Sequence, residues 1–318
     1  MNPNAKSPAP SEKPLALLCG DPAGVGPEII AKWLAAAPEN REGVVAVGHR
    51  RWLDTLPVAG VAVGDADFAA TAGAPDAAGQ RVALAALEAG AAGCREGRFR
   101  AVVTGPVSKA RLAAEGYPFP GQTEFFASRW GGTPVMAFAG GRLRVALATW
   151  HIPFASVPAA LTPSVLERAV AAADFLARRT GAGGVAGAAG AVPRIGVCGL
   201  NPHAGEEGLL GADERDRLDP WLGALREKFP GVSRCQPADS LFHRHLAGEF
   251  DAVVALYHDQ GLAPLKTLEF DRSVNITLGL PFARTSPDHG TAYGIAGTGT
   301  ASTASWDAAV RLARLLAA

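Results

Sequence analysis

Short apolar runs alternate along this chain with stretches whose apolar residues recur every three or four positions. Leu15–Cys19, Val44–Val47, Ala101–Val103, Leu143–Ala148, Ile195–Leu200 and Ala252–Ala255 are near-continuous apolar runs and read as buried strands. Between them, Pro27–Ala36, the alanine-rich Gln80–Ala92 and Pro163–Arg179 carry helical spacing, and Thr162 caps the last. Such alternation predicts parallel α/β sheets with helices on both faces. A length of 318 residues admits one large domain or two of ordinary size, so a two-lobed molecule with a cleft is compatible with it. Gly181–Ala191 reads as a flexible surface connection, and the polar, proline-rich Met1–Lys13 as a disordered terminus.

Composition narrows the partners. Thirty basic residues balance thirty acidic ones, with no long run of either sign, which argues against a nucleic-acid groove or an anionic membrane as the main partner. No apolar run spans a bilayer and no signal-peptide core is present. Cys19, Cys94, Cys198 and Cys235 form no metal-type pair, and two of them lie in strand-like runs; buried, reduced thiols in a cytoplasmic protein are expected.

Three histidines sit in polar phrases just past predicted strands: His151 in Thr-Trp-His-Ile-Pro, His203 in Asn-Pro-His-Ala-Gly-Glu, and His258 in Tyr-His-Asp-Gln-Gly. Side chains past the C-terminal ends of strands lie where α/β folds place ligands. Three imidazoles brought to one rim can hold a divalent metal with positions open to substrate. The bland alternative, a satisfied core or surface histidine, suits His49 and the His243/His245 pair, the latter expected on a helix surface. Asp259 can orient the imidazole of His258, ligate, or act as a base.

Other phrases bind anions or turn the chain. Gly20–Glu28 joins a strand to a helix with Gly-x-x-x-Gly-x-Gly spacing, which is not the dinucleotide fingerprint; it is either an anion-binding turn or a plain one. Thr104–Lys109 offers hydroxyls and a lysine to a phosphate or carboxylate, although Ser108 also suits a helix cap. In Gly121-Gln122-Thr123-Glu124, Thr123 is either an ordinary cap or a ligand contact. Lys266, Asn275 and Arg284 punctuate the apolar Leu262–Phe282 region and its end; the two cations either snorkel to the surface or face an anionic partner, for which a phosphate is favoured. The small residues of Ser286–Gly299 let a flat ligand approach the backbone, with Asp288 or His289 free to meet an adenosine group.

Together, Gly20–Glu28, Thr104–Lys109, Gly121–Phe125, His151–Pro153, Asn201–Glu206, Tyr257–Gly261 and Asp288–Ala296 resemble the 4-hydroxythreonine-4-phosphate dehydrogenase (PdxA) family from about Leu15 to the C-terminus. The first and last of these phrases also resemble the isocitrate and isopropylmalate dehydrogenases. The resemblance implies a two-lobed α/β/α fold of that dehydrogenase type, with lobes at 14–125 plus 295–318 and at 126–294 and the active site in the cleft between them. It implies NAD- or NADP-dependent oxidation of 4-phosphohydroxy-L-threonine, followed by decarboxylation to 3-amino-2-oxopropyl phosphate. His151, His203 and His258 match the ligands of one divalent ion (zinc, magnesium or cobalt). Gln122, Thr123, Lys266, Asn275 and Arg284 match substrate contacts, and Asp288, His289, Gly290, Thr291 and Ala292 the cofactor loop. Asp259 and Lys266 are the catalytic candidates, in a homodimer whose active sites draw on both chains.

One departure stands out: Gln122 occupies a position where the family usually has histidine, so a charged or titrating group is replaced by a neutral amide. The same oxidation of threonate or erythronate 4-phosphate is therefore an alternative. A metal-dependent lyase without a nucleotide is another, and it leaves the Asp288–Thr298 loop without a use.

Overall fold

A computed structural model describes residues 13–181 and 191–317; apart from Lys13, Gly181 and Ala191, the expected tail and surface connection lie outside the described residues. The chain divides into two compact units, one running to Tyr117 and including Thr291–Ala301, the other comprising Pro118–Gly290 and Ser302–Ala318.

The first unit holds β1 (Leu15–Leu18), β2 (Val44–Gly48), β3 (Gly60–Ala62) and β4 (Ala101–Thr104), ordered β3-β2-β1-β4 and parallel where paired. Every residue of β1 and β4 is buried, as expected for strands covered on both faces. Its helices are α1 (Gly26–Ala36), the short α2 (Arg50–Leu53), α3 (Ala77–Arg95) and α4 (Lys109–Ala114). Pro27 opens α1, where its missing N–H is harmless, and Asp76 caps α3 by accepting from Gly79 N at 2.6 Å. Ser108 caps α4, accepting from Arg111 N, so the cap reading of Ser108 holds.

The second unit contains β5 (Val135–Ala139), β6 (Arg144–Leu147), β7 (Ile195–Cys198), β8 (Val232–Gln236), β9 (Ala252–Ala255), β10 (Val274–Leu278) and β11 (Ala283–Pro287), ordered β11-β10-β5-β6-β9-β7-β8. Strands β6, β9, β7 and β8 are parallel where they pair with one another, whereas β5 is antiparallel to both β6 and β10, and β10 and β11 form an antiparallel hairpin. Its helices are α5 (Gln122–Trp130), the short α6 (Val157–Ala160), α7 (Pro163–Thr180), α8 (Asp219–Leu225), α9 (Ala238–Leu246), α10 (His258–Glu269) and α11 (Ala304–Leu316). Thr162 caps α7 by accepting from Val165 N at 3.3 Å. Phe138, Val145, Leu147, Val253, Leu262 and Leu265 meet in its core.

Three segments lie in a different unit from the one read in the sequence, the first being Thr291–Gly294, which belongs to the first unit. Helix α11 belongs to the second unit: Thr285 Oγ1 donates to Ala309 O at 2.9 Å and Ser305 Oγ to Ser273 O at 2.7 Å. The start of α5 joins it too, because Thr123 Oγ1 bonds Thr277 Oγ1 at 3.2 Å and Trp130 packs edge-on against Phe282. His245 is buried on α9 and not on a helix surface.

Candidate active site

The three histidine phrases leave the C-terminal ends of β6, β9 and β7, which are adjacent and parallel in that order. The topology thus brings His151, His258 and His203 to one edge of the second unit. His151 and His258 approach each other, with ring centroids 5.6 Å apart. Among the described residues, however, no three His, Cys, Asp or Glu side chains gather closely enough to hold an ion. Strand spacing accounts for this: β6 and β7 flank β9 and so lie roughly 10 Å apart.

Two of these histidines occupy backbone that side chains usually avoid. His151 has φ 48°. His203 opens a run of five left-handed residues, His203–Glu207, of which only Gly205 is glycine. Positive φ without glycine is strained and persists where the surroundings over-determine it, often at functional sites.

For His203 the restraint is Glu214, which sequence reasoning missed. Glu214 is 2% exposed and begins a π-helical turn, Glu214–Leu218. Its Oε1 accepts from Leu200 N at 2.8 Å and Asn201 N at 2.7 Å, and its Oε2 from Asn201 Nδ2 at 3.0 Å. A Cβ at Gly205 would meet Glu214 Oε2 at 2.7 Å, so the glycine is needed for clearance as well as for its φ of 80°. A crevice of about 1060 Å³ borders His203 and includes Glu206, Arg215 and Arg234 in its walls.

Helix α10 presents His258, Asp259 and Lys266 to a shallower hollow of about 390 Å³. Asp259 Oδ1 lies 2.7 Å from His258 Nδ1, which leaves Nε2 of that ring to face a ligand. Of the three roles open to Asp259, orienting the imidazole is the one this contact favours. Lys266 is exposed rather than buried, and its Nζ lies 3.3 Å from Asp288 Oδ2. The donor chemistry suits a divalent ion in part, since paired imidazoles are present while the third stands apart.

The hairpin carries Asn275 and Arg284, the residues expected to meet an anion, on one face. Cross-strand pairing sets Asn275 opposite Ser286 and Thr277 opposite Arg284. Arg284, 5% exposed, donates to Asn275 Oδ1 at 2.8 Å, Gln122 Oε1 at 3.1 Å and Ser286 Oγ at 2.8 Å. These acceptors are neutral and orient the Gln122 and Asn275 amides with their NH₂ groups away from the guanidinium. Thr123 is buried beside them at the second residue of α5, while Gly121 takes the cap position, so the ordinary-cap reading of Thr123 does not hold.

The expected cofactor loop passes from the second unit into the first between Gly290 and Thr291. In the first unit, Val25 N donates to Thr291 O at 2.9 Å, Gly297 N to Glu28 Oε2 at 2.7 Å, and Lys32 Nζ to Gly299 O and Ala301 O. Tyr293 OH donates to the fully buried Asp21 at 2.5 Å, and Gln80 Nε2 to the same Oδ2 at 2.7 Å. Burial, and then the Asp21 contact, push the Tyr293 phenol above its ordinary pKa. The Gly20–Glu28 turn therefore holds the Thr291–Ala301 segment of its own chain. Ala292 adopts φ 46° there, and His289 Nδ1 contacts Gly290 O at 3.0 Å.

The family model for "Pyridoxal phosphate biosynthetic protein PdxA" matches residues 28–313. The chain belongs to the PdxA family. A relative from Xanthobacter autotrophicus named 4-hydroxythreonine-4-phosphate dehydrogenase is 42% identical, covering 96% of this chain and 93% of its own. The crystal structure of a 4-hydroxythreonine-4-phosphate dehydrogenase from Klebsiella pneumoniae superposes with a TM-score of 0.82 at 34% identity, over 96% of this chain and 100% of that one. A terephthalate 1,2-cis-dihydrodiol dehydrogenase from Burkholderia xenovorans is 31% identical, with a TM-score of 0.70 over 96% of this chain and 98% of that one. These PdxA-like proteins thus share one fold and carry dehydrogenase names. No described helix is long and apolar enough to cross a membrane.

Proposed function

We propose that this chain is an NAD- or NADP-dependent oxidoreductase that oxidises the 3-hydroxyl of 4-phosphohydroxy-L-threonine. The product, 2-amino-3-oxo-4-phosphooxybutanoate, then loses CO₂ to give 3-amino-2-oxopropyl phosphate, a precursor of pyridoxal phosphate. The observation that carries this reading is the polar hairpin face, where the buried Arg284 aligns the amides of Gln122 and Asn275 and Lys266 approaches from the helix that begins with His258. A cation flanked by neutral donors suits a phosphate monoester. The names of the 42% and 34% identical relatives support the same substrate.

His151, His203 and His258 would hold a divalent ion (zinc, magnesium or cobalt), with Asp259 fixing the His258 ring. A bound ion would supply Lewis acidity at the substrate hydroxyl and would offset negative charge during oxidation and decarboxylation. A bound nicotinamide would supply the hydride acceptor, and the Asp288–Ala292 segment is the stretch whose backbone we assign to the cofactor. Arg284, Asn275, Gln122, Thr123 and Lys266 fix the phosphate and so the position of C3.

The third imidazole points to a homodimer in which a second copy completes each ion site. Large apolar side chains beside the histidines support this: Phe154 is 66% exposed and Leu209 84% exposed. Four free cysteines accord with a cytoplasmic location.

Gln122 favours one second reading. With its Oε1 engaged by Arg284, it offers substrate a donor, which suits a hydroxyl better than an ammonium group. Threonate or erythronate 4-phosphate is then the substrate of the same oxidation. The test is NADH formation by purified protein with divalent ion and each compound. Turnover of 4-phosphohydroxy-L-threonine, lost on chelation and restored by the ion, is expected. Turnover of the sugar-acid phosphates alone selects the second reading, and turnover of none overturns both.

A further inference from the structure

Residue alternation along β11 puts Arg284 and Ser286 on one face, and continuing it by two brings Asp288 to that face. The same alternation runs back along β10 from Thr277 and Asn275 to Ser273. Asp288 therefore stands beside the anion-binding residues, and its carboxylate is engaged there. Its Oδ2 accepts from Ser273 Oγ at 3.1 Å and meets Lys266 Nζ at 3.3 Å.

Asp288 is also the fixed member of that pair. Its backbone N–H donates to Ser273 O at 3.2 Å, the carbonyl that also accepts from Ser305 Oγ at 2.7 Å. Ser273 is 1% exposed. Lys266 ends a flexible four-carbon stem, and its side chain is 41% exposed. A lysine already held loses less rotamer freedom when it meets an anion, and its ammonium keeps two further N–H groups for that contact.

We infer that Asp288 is a positioning residue for Lys266, aiming the ammonium at the bound phosphate, and that its carboxylate does not contact the nucleotide. The inference rests on the proposed function only for the identity of the phosphorylated ligand. It also separates Asp288 from the rest of the segment assigned to the cofactor.

Calorimetry on the full chain with divalent ion present tests it, using inorganic phosphate and NAD as separate probes. The proteins are wild type, Asp288→Asn, Lys266→Gln and the double variant. Asp288→Asn keeps size and one acceptor for Ser273 while removing the charge. Phosphate affinity should fall about three- to tenfold in Asp288→Asn, with NAD affinity held within about twofold. In the Lys266→Gln background the Asp288 change should add nothing, because its effect passes through the lysine. Weakened NAD binding, alone or together with phosphate, overturns the inference. So do unchanged phosphate binding, a full additive effect in the double variant, or wild-type protein that binds no phosphate. Wild type that binds phosphate but oxidises no phosphorylated hydroxy acid defeats the proposed function and leaves the Asp288–Lys266 relation standing.

Discussion

Replacing Glu214 by glutamine should loosen the turn that presents His203. The carboxylate satisfies Leu200 N and Asn201 N through one oxygen and Asn201 Nδ2 through the other. Glutamine can keep only one of these sets. With its oxygen toward the backbone pair, its NH₂ faces the NH₂ of Asn201 and one charge-assisted bond is lost, costing about 1.5–3 kcal/mol. Asn201 Nδ2 has a second acceptor, Asp213 Oδ2 at 3.2 Å, which holds the cost toward the lower end. The loss falls on four non-glycine left-handed residues whose conformation already costs roughly 4–8 kcal/mol. Hydrogen exchange is the direct assay: the Leu200 and Asn201 amides should exchange about 10–100-fold faster, since each 1.4 kcal/mol is about tenfold, while amides of β6 and β9 keep their rates. Divalent-ion affinity should weaken in parallel. Wild-type exchange and wild-type ion affinity in Glu214→Gln would refute the restraint assigned to this carboxylate.

Three further outcomes follow from the site and the core. Arg284→Ala should lower kcat/KM about 10–100-fold by removing a buried cation from the proposed phosphate site, and unchanged steady-state kinetics would place Arg284 elsewhere. His203→Ala should abolish ion-dependent turnover while the circular-dichroism spectrum and melting temperature stay near wild type; full activity with stoichiometric ion would remove His203 from the ligand set. Burial lowers the pKa of His245, whose Nε2 accepts from Arg144 N at 3.2 Å and whose Nδ1 meets Phe250 O at 2.7 Å, so the folded protein prefers the neutral ring. Its contribution is present above the unfolded value of about 6.5 and is lost as pH falls below it. Urea midpoints should thus drop between about pH 7 and pH 5.5, and His245→Gln should flatten that slope; an unaltered slope would rule out His245 as a source.

Much of the architecture was legible because parallel strands covered on both faces are apolar throughout. β1, β6, β7 and β9 fall within apolar runs of the sequence, β4 exceeds its run by Thr104 alone, and the caps Thr162 and Ser108 were readable from residue type. The hairpin was not legible. Val-Asn-Ile-Thr-Leu and Ala-Arg-Thr-Ser-Pro interleave polar chemistry with packing, so Lys266 on a helix and Arg284 on a strand looked like parts of one apolar stretch. The histidines were found by their place after strands. Their backbone strain was invisible, because no glycine marks φ 48° at His151 or φ 50° at His203. Glu214 escaped, and Asp288 was read only as a cofactor-loop residue, for a common reason: each contacts a partner 13 to 22 residues away, a pairing that only the fold creates.

The cross-strand register of β10 and β11 bears on which sequence changes the site survives. Asn275 with Ser286 and Thr277 with Arg284 share a face only because side chains alternate with a period of two. Substitutions there remove one contact at a time, and their effects are graded. Deleting Ile276, between Asn275 and Thr277, or Thr285, between Arg284 and Ser286, would turn part of the set toward the opposite face while leaving the composition almost unchanged. Length variation in this region should therefore collect at Gly279–Phe282, the turn between the strands, where an added residue leaves the pairing intact. Within the strands, substitution should be the only change such a chain can carry and still hold an anion.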